Sequence, residues 1–268
     1  TLFDGTIYSL ARGDAFKNKW FAKILTMFKM FPVYRVSEGV ENLEENYITF
    51  DLCKKLFKKK GIVLIFSEGR CVNEWHLRPL KKGTARLAIS SWEEGIDVKI
   101  LPVAINYSSF SMFGKNIKLS FGDMITKEDI NYEDSHGNAI RQFNETLKPQ
   151  LNKYVFEIDA DDKASLHDTF YVKHSFLKKI LLSIPAVIGL VIHAPLYYFI
   201  KWLGNILIKE DGHYDSRIVA ILFILYPVFL LSISLILFIL TGNWLAFLSL
   251  LLLPLTAWAF VQLKKQLD

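Results

Sequence analysis

Ile62-Val63-Leu64-Ile65-Phe66-Ser67-Glu68-Gly69-Arg70 is the stretch that organises the reading of this chain. Five apolar residues, three of them β-branched, make a short run of buried-strand type. A polar turn follows at once. In open α/β sheets ligands bind beyond the carboxyl ends of the strands. A carboxylate, a flexible glycine and a guanidinium at that edge suit a small polyol phosphate, because arginine grips phosphate bidentately and glycine lets the backbone approach. Taken alone, Glu-Gly after a strand is also an ordinary turn.

Working outward, Glu44–Lys60 reads as a helix with a basic end (Lys54, Lys55, Lys58, Lys59, Lys60) that stops at Gly61. The lysines fit either a solvated helix end or an attractor of phosphate or anionic lipid. Farther upstream, Ala15–Phe31 reads as a basic amphipathic helix. Phe16, Trp20, Phe21, Ile24, Leu25, Met27, Phe28 and Phe31 share one half of the wheel, while Asn18, Lys19, Lys23, Thr26 and Lys29 share the other; Lys17 and Met30 are exceptions. That pattern fits a helix lying in a membrane interface, or one packed on a core. Pro32 ends it, and Val33–Val36 is expected as a strand. Downstream, Lys82–Ser91 is expected as a helix, Val98–Asn106 as a buried strand, Ile117–Phe121 as a strand ended by Gly122, and Asn138–Phe156 as a helix. Strands alternating with helices predict an α/β domain, a mixed sheet flanked by helices, over residues 1–175.

Of the 268 residues, 51% are hydrophobic and 22% charged, which excludes a disordered chain, and only two are Cys (Cys53 and Cys71), which excludes a disulfide framework. The six His show no ligand spacing, so no metal is expected. There is no Gly-rich nucleotide loop, and a net charge of +5 is too modest to imply nucleic acid.

The charges are unevenly placed: residues 1–175 hold 25 of the 32 Lys and Arg and 23 of the 27 Asp and Glu, and Ile218–Leu263 holds none. The region 176–268 is therefore read as a membrane part. Of the 23 residues Ile218–Leu240, 18 are Leu, Ile, Val or Phe, and a helix needs about 20 apolar residues to cross a bilayer. Trp244–Leu263 is a second such stretch, joined to the first by Thr241-Gly242-Asn243, a turn composition. The two predict a transmembrane helical hairpin. Arg217 at one outer end, with Lys264 and Lys265 at the other, places both ends and the α/β body on the cytoplasmic face. A third uncharged stretch, Ile180–Ile200, contains Pro185, His193 and Pro195, and is expected to be a Pro-broken re-entrant or interfacial element. The localisation that follows is a multi-pass membrane protein with membrane lipid as a partner.

Five blocks follow one another along the body: Leu2-Phe3-Asp4-Gly5, Phe31-Pro32-Val33-Tyr34-Arg35, Phe66-Ser67-Glu68-Gly69-Arg70, Pro79–Ala88, and Ile100-Leu101-Pro102-Val103-Ala104-Ile105. In this order and spacing the chain resembles the glycerolipid acyltransferase family, which includes lysophosphatidate and glycerol-3-phosphate acyltransferases, over roughly residues 1–130. Family members carry a His shortly before an Asp, an Arg after an apolar strand, the motif Phe-Pro-Glu-Gly-Thr-Arg, and an apolar strand containing Pro. Asp4, Arg35, Phe66 with Glu68 and Gly69, and Pro102 match these positions. Ser67 stands where the family has Pro, and the family's Thr before Arg is missing, so Arg70 matches the motif's Arg less securely.

The resemblance implies transfer of a fatty acyl group from acyl-CoA or acyl-carrier protein, a co-substrate rather than a cofactor, to glycerol-3-phosphate or 1-acyl-glycerol-3-phosphate in phospholipid biosynthesis. Acylation of another lysolipid, or a non-catalytic lipid-binding module, are the alternatives. It implies Asp4 as the catalytic carboxylate that orients a His base. Arg35, with Arg70 and Lys82, would bind the acceptor phosphate, and Glu68 and Gly69 would position the glycerol; Phe66 and Pro102 complete the implied binding set. The His would lie upstream of Thr1. A chain that begins with Thr is thus expected to start inside a longer reading frame, and to be inactive without that His.

Overall fold

The computed structural model describes residues 5–34, 45–112, 114–132, 135–159, 161–207 and 214–264. In chain order the elements are β1 (Ile7–Arg12), α1 (Lys19–Met27), β2 (Met30–Val33), α2 (Glu45–Lys58), β3 (Ile62–Leu64), α3 (Lys82–Glu93), β4 (Val103–Tyr107), β5 (Ile117–Phe121), α4 (His136–Asn152), α5 (Lys163–Phe170), α6 (Phe176–Leu207), α7 (Tyr214–Thr241) and α8 (Ser249–Leu263). The fold is α/β, with small sheets flanked by helices. One sheet has the order β2-β1-β3 and the other pairs β4 with β5. Both neighbours of β1 run parallel to it, with Ser9 opposite Met30 on one side and Leu64 on the other. By contacts the chain divides into two compact units, Thr1–Arg70 with His76–Ala104 and Leu119–Phe156, and Cys71–Trp75 with Ile105–Lys118 and Glu157–Asp268.

In the first unit, β1 and α1 differ most from expectation. The amphipathic stretch does not form one helix over Ala15–Phe31. Gly13–Phe16 is a 3-10 turn, and Asn18 then caps α1, its side chain accepting from the backbone N–H of Trp20 and Phe21. Lys29 takes a left-handed conformation (φ 60°), and Met30–Val33 becomes a strand. Ladder bonds to β1 outweigh the helical periodicity there, and the Phe31 ring stacks on Tyr8 with centroids 5.5 Å apart. The strand therefore begins three residues before the expected Val33. At the end of α2 the left-handed residue is Lys60 (φ 60°), and the Gly61 N–H closes the helix by donating to the Leu56 carbonyl.

Two clusters form the core of this unit. Leu10, Cys53 and Leu87 are buried together with Phe31, Val33, Phe50, Phe57, Val63 and Ile65 around them, which ties α2 and α3 to the sheet. Trp92, Ile89, Ile140, Phe143 and Leu147 join α3 to α4. The Val98–Asn106 run is a strand only from Val103; before Pro102, Ile100 instead makes an isolated bridge with Ile125.

The second unit holds three helical stretches long and apolar enough to cross a membrane: Phe176–Gly204, Ile218–Thr241 and Trp244–Leu263. The break expected within 180–200 is not there. Pro185 and Pro195 lie inside the continuous 32-residue helix α6. Each proline removes one N–H donor, but in an apolar helix opening the backbone further would orphan several more polar groups. Gly189 lets α6 approach α8 closely, since a Cβ there would lie 2.2 Å from the Thr256 carbonyl oxygen. The contact is tied by a hydrogen bond from Lys178 Nζ to Gln262 Oε1 (2.7 Å). Across α6 and α7, His193 Nε2 meets the Tyr226 hydroxyl at 3.2 Å while its Nδ1 meets the Gly189 carbonyl at 2.8 Å. The expected turn between the last two spans is present: Gly242 has φ 63°, and Asn243 caps the following 3-10 turn through the Leu245 N–H.

Two outcomes follow. Gly189→Val is expected to lower stability in detergent by about 1–3 kcal/mol, as overpacking does, whereas Gly137→Ala, with nothing near its Cβ, should gain about 0.5 kcal/mol; thermal midpoints measure both. Burial pushes the Cys53 thiol up to about 12, and Cys71 is exposed. Alkylation of the native protein at neutral pH should therefore stop at one thiol, and mass mapping should place it at Cys71.

Candidate active site

β3 delivers the chain to a turn at the carboxyl edge of the parallel sheet. The Gly69 N–H donates to the Phe66 carbonyl at 3.1 Å, and Gly69 sits at φ 65°, where a side chain is strained. Space there is also short, because a Cβ on Gly69 would lie 3.0 Å from Lys81 Cγ. The turn is fastened to the start of α3. The Lys81 N–H donates to the Ser67 carbonyl (2.7 Å), and the Ser67 and Thr84 hydroxyls share a hydrogen bond of 2.9 Å. Glu68 is half-buried, and its carboxylate accepts the Arg78 backbone N–H at 3.2 Å, holding the loop between the turn and α3. Ser67 thus makes a bond that the family's Pro cannot make.

Phe66, Arg70 and Lys82 are exposed. Lys82 opens α3, whose N-terminus has no side-chain cap, so backbone N–H groups and an ammonium lie together beside the turn. Lys82 also lines an open groove of about 400 Å³ between the start of α3 and α4, where Arg141 pairs with Glu145 (3.9 Å) and Lys148 adds positive charge. An anionic group is the ligand this arrangement suits. Pro102 is buried away from such a role: its carbonyl accepts the Gly122 N–H (2.9 Å), and a Cβ on Gly122 would crowd its ring at 3.2 Å.

Asp4 and Arg35 lie outside the described residues. Tyr34, which follows β2, stands at the same carboxyl edge as the Glu68 turn. Gly5–Ile7 enters β1 at the opposite, amino edge, because all three strands are parallel. The structure thus brings Phe66, Glu68, Gly69, Arg70 and Lys82 into one neighbourhood. It adds a pair that the sequence reading missed: Arg12 and Asp14 end β1 at the carboxyl edge and form an ion pair. Their signal was legible, since Ile7–Arg12 followed by Gly13-Asp14 repeats the grammar of an apolar run ending in charge and glycine.

The acyltransferase family model matches residues 2–106. That match is to the glycerolipid acyltransferase family, over this stretch of the chain. No curated protein and no solved structure gives a significant match. The matched segment runs from Leu2 through the Glu68 turn and α3 and takes in all of β4 but Tyr107, and so contains every candidate residue at the carboxyl edge. The membrane-grade helices lie outside it.

Gly69→Ala is expected to cost about 1–2 kcal/mol from the left-handed backbone alone. Chemical denaturation should show that loss, and Lys81→Ala, which removes the atom a new Cβ would meet, should restore only a minor part of it.

Proposed function

We propose that the protein is a membrane-bound O-acyltransferase that moves a fatty acyl group from an acyl thioester, carried on coenzyme A or a carrier protein, to glycerol-3-phosphate or 1-acyl-glycerol-3-phosphate in phospholipid biosynthesis. The family match over residues 2–106 carries this reading. The anion-suited edge around Lys82 and the Glu68 turn supports a phosphate-bearing acceptor, and the three apolar helices support a membrane setting.

In the reaction the acceptor hydroxyl oxygen forms a bond to the thioester carbonyl carbon and the carbon–sulfur bond breaks. The hydroxyl proton passes to a base and then to the departing thiolate. An alcohol is a poor nucleophile at neutral pH, so the base is essential. The family's His takes that role, and Asp4 holds its tautomer and stabilises the imidazolium. Arg35, Arg70 and Lys82 bind the acceptor phosphate, and Gly69 lets the glycerol approach the backbone. Glu68 acts as a positioning residue through the loop it holds at Arg78. The acyl chain and the lipid product stay in the bilayer, and the α/β domain works at its cytoplasmic face, where acyl thioesters are soluble.

The test is acyl transfer by the protein, with labelled acyl thioester and a panel of glycerol-phosphate and lysolipid acceptors. Asp4→Asn should lower kcat by about 10²–10⁴, the range of general acid–base assistance. Arg35→Ala should raise KM for the phosphate-bearing acceptor and leave KM for the thioester unchanged. Full activity in Asp4→Asn would remove the dyad. Transfer only to acceptors lacking a glycerol phosphate would move the substrate class, and no transfer to any acceptor would leave a lipid-binding module.

A further inference from the structure

The helix α1 carries a face that the fold does not use. None of its nine residues is buried. Ala22 and Leu25 are half-buried and mark the side turned toward the protein. On the other side, Trp20 is 77% exposed, Met27 72%, Phe28 64% and Phe21 61%, with Ile24 between them. At 100° per residue these five span an arc of about 120°. Scattered exposed apolar residues are ordinary, but a contiguous patch of aromatics on one helix marks an interaction surface.

Charge decides what covers it. Residues 15–34 contain Lys17, Lys19, Lys23 and Lys29 and no Asp or Glu. Lys19 and Lys23 are exposed and flank Trp20. An apolar wedge rimmed by cations on one short helix complements a surface that is apolar inside and anionic at its boundary. A bilayer leaflet with anionic headgroups has that construction. The same chain carries helices of membrane-spanning length, so a bilayer is always at hand.

We propose that α1 inserts Trp20, Ile24, Met27 and Phe28 into the headgroup boundary of an anionic leaflet, with Lys19 and Lys23 on the lipid phosphates. This is an attachment of the acyltransferase domain itself, separate from α6–α8, and it holds whether or not the domain proves catalytic. The face belongs to the crossover between β1 and β2, whose far end, at Tyr34, stands on the carboxyl edge. Docking through α1 therefore orients the acyltransferase domain toward lipid.

The full chain in nanodiscs tests this, in a Cys71→Ser background with the buried Cys53 left in place. An environment-sensitive fluorophore is attached at Met27→Cys, and at Lys58→Cys on α2 as the comparison. In phosphatidylcholine discs containing a third phosphatidylglycerol, the Met27 probe should emit to the blue and be quenched by spin-labelled lipid several-fold more strongly than the Lys58 probe. Lys19→Gln with Lys23→Gln, or discs of phosphatidylcholine alone, should remove most of that difference while the protein stays in the disc. Three results would overturn the proposal: water-like emission at Met27 in anionic discs, equal quenching in neutral and anionic discs, or a blue shift that follows protein concentration and not lipid, which would place a second copy on the face.

Discussion

Parallel pairing on both sides of β1 is the constraint on which the acyltransferase domain depends. A parallel ladder needs crossover connections, here β1-α1-β2 and β2-α2-β3, and the strands lie in the order β2-β1-β3. With all strands pointing one way, their ends collect at one edge. The Glu68 turn, Tyr34 and the Arg12–Asp14 pair meet there although they are far apart in the chain. The same ladder explains the short α1. Phe31 satisfies the helical wheel as well as its neighbours do, yet strand pairing with Leu10 and the stack on Tyr8 reward it more.

At the edge, the side chains divide between holding the turn and remaining available. Ser67 bonds Thr84, and Glu68 holds the Arg78 N–H, so the turn is fixed against α3 before any ligand arrives. That is the preorganisation a binding edge requires. Arg70 and Lys82 are left exposed beside it. Glu68, half-buried against the Arg78 N–H, fixes the loop between the turn and α3.

The long apolar helices obey a different constraint. Away from water every backbone polar group is best satisfied within the helix, and α6 stays continuous through two prolines. Interhelix specificity then comes from small and polar residues. Gly189 allows backbone approach to Thr256, and the Ser234 and Ser249 hydroxyls pair at 2.7 Å. These residues interrupt the apolar runs in the sequence, where they read as weak points of a span and not as its contacts.

The sequence by itself determined the α/β class, the apolar helices at the chain's end, the turn at Gly242 and the motif set that the family match covers, because each depends on local periodicity, composition or a short residue pattern. Tertiary structure decided where α1 stops, whether α6 breaks, that Pro102 is a packing residue, and that Arg12 and Asp14 share an edge with Glu68. Those outcomes turn on ladder bonds and close contacts between residues distant in the chain, whose energies exceed the local preferences a single sequence displays.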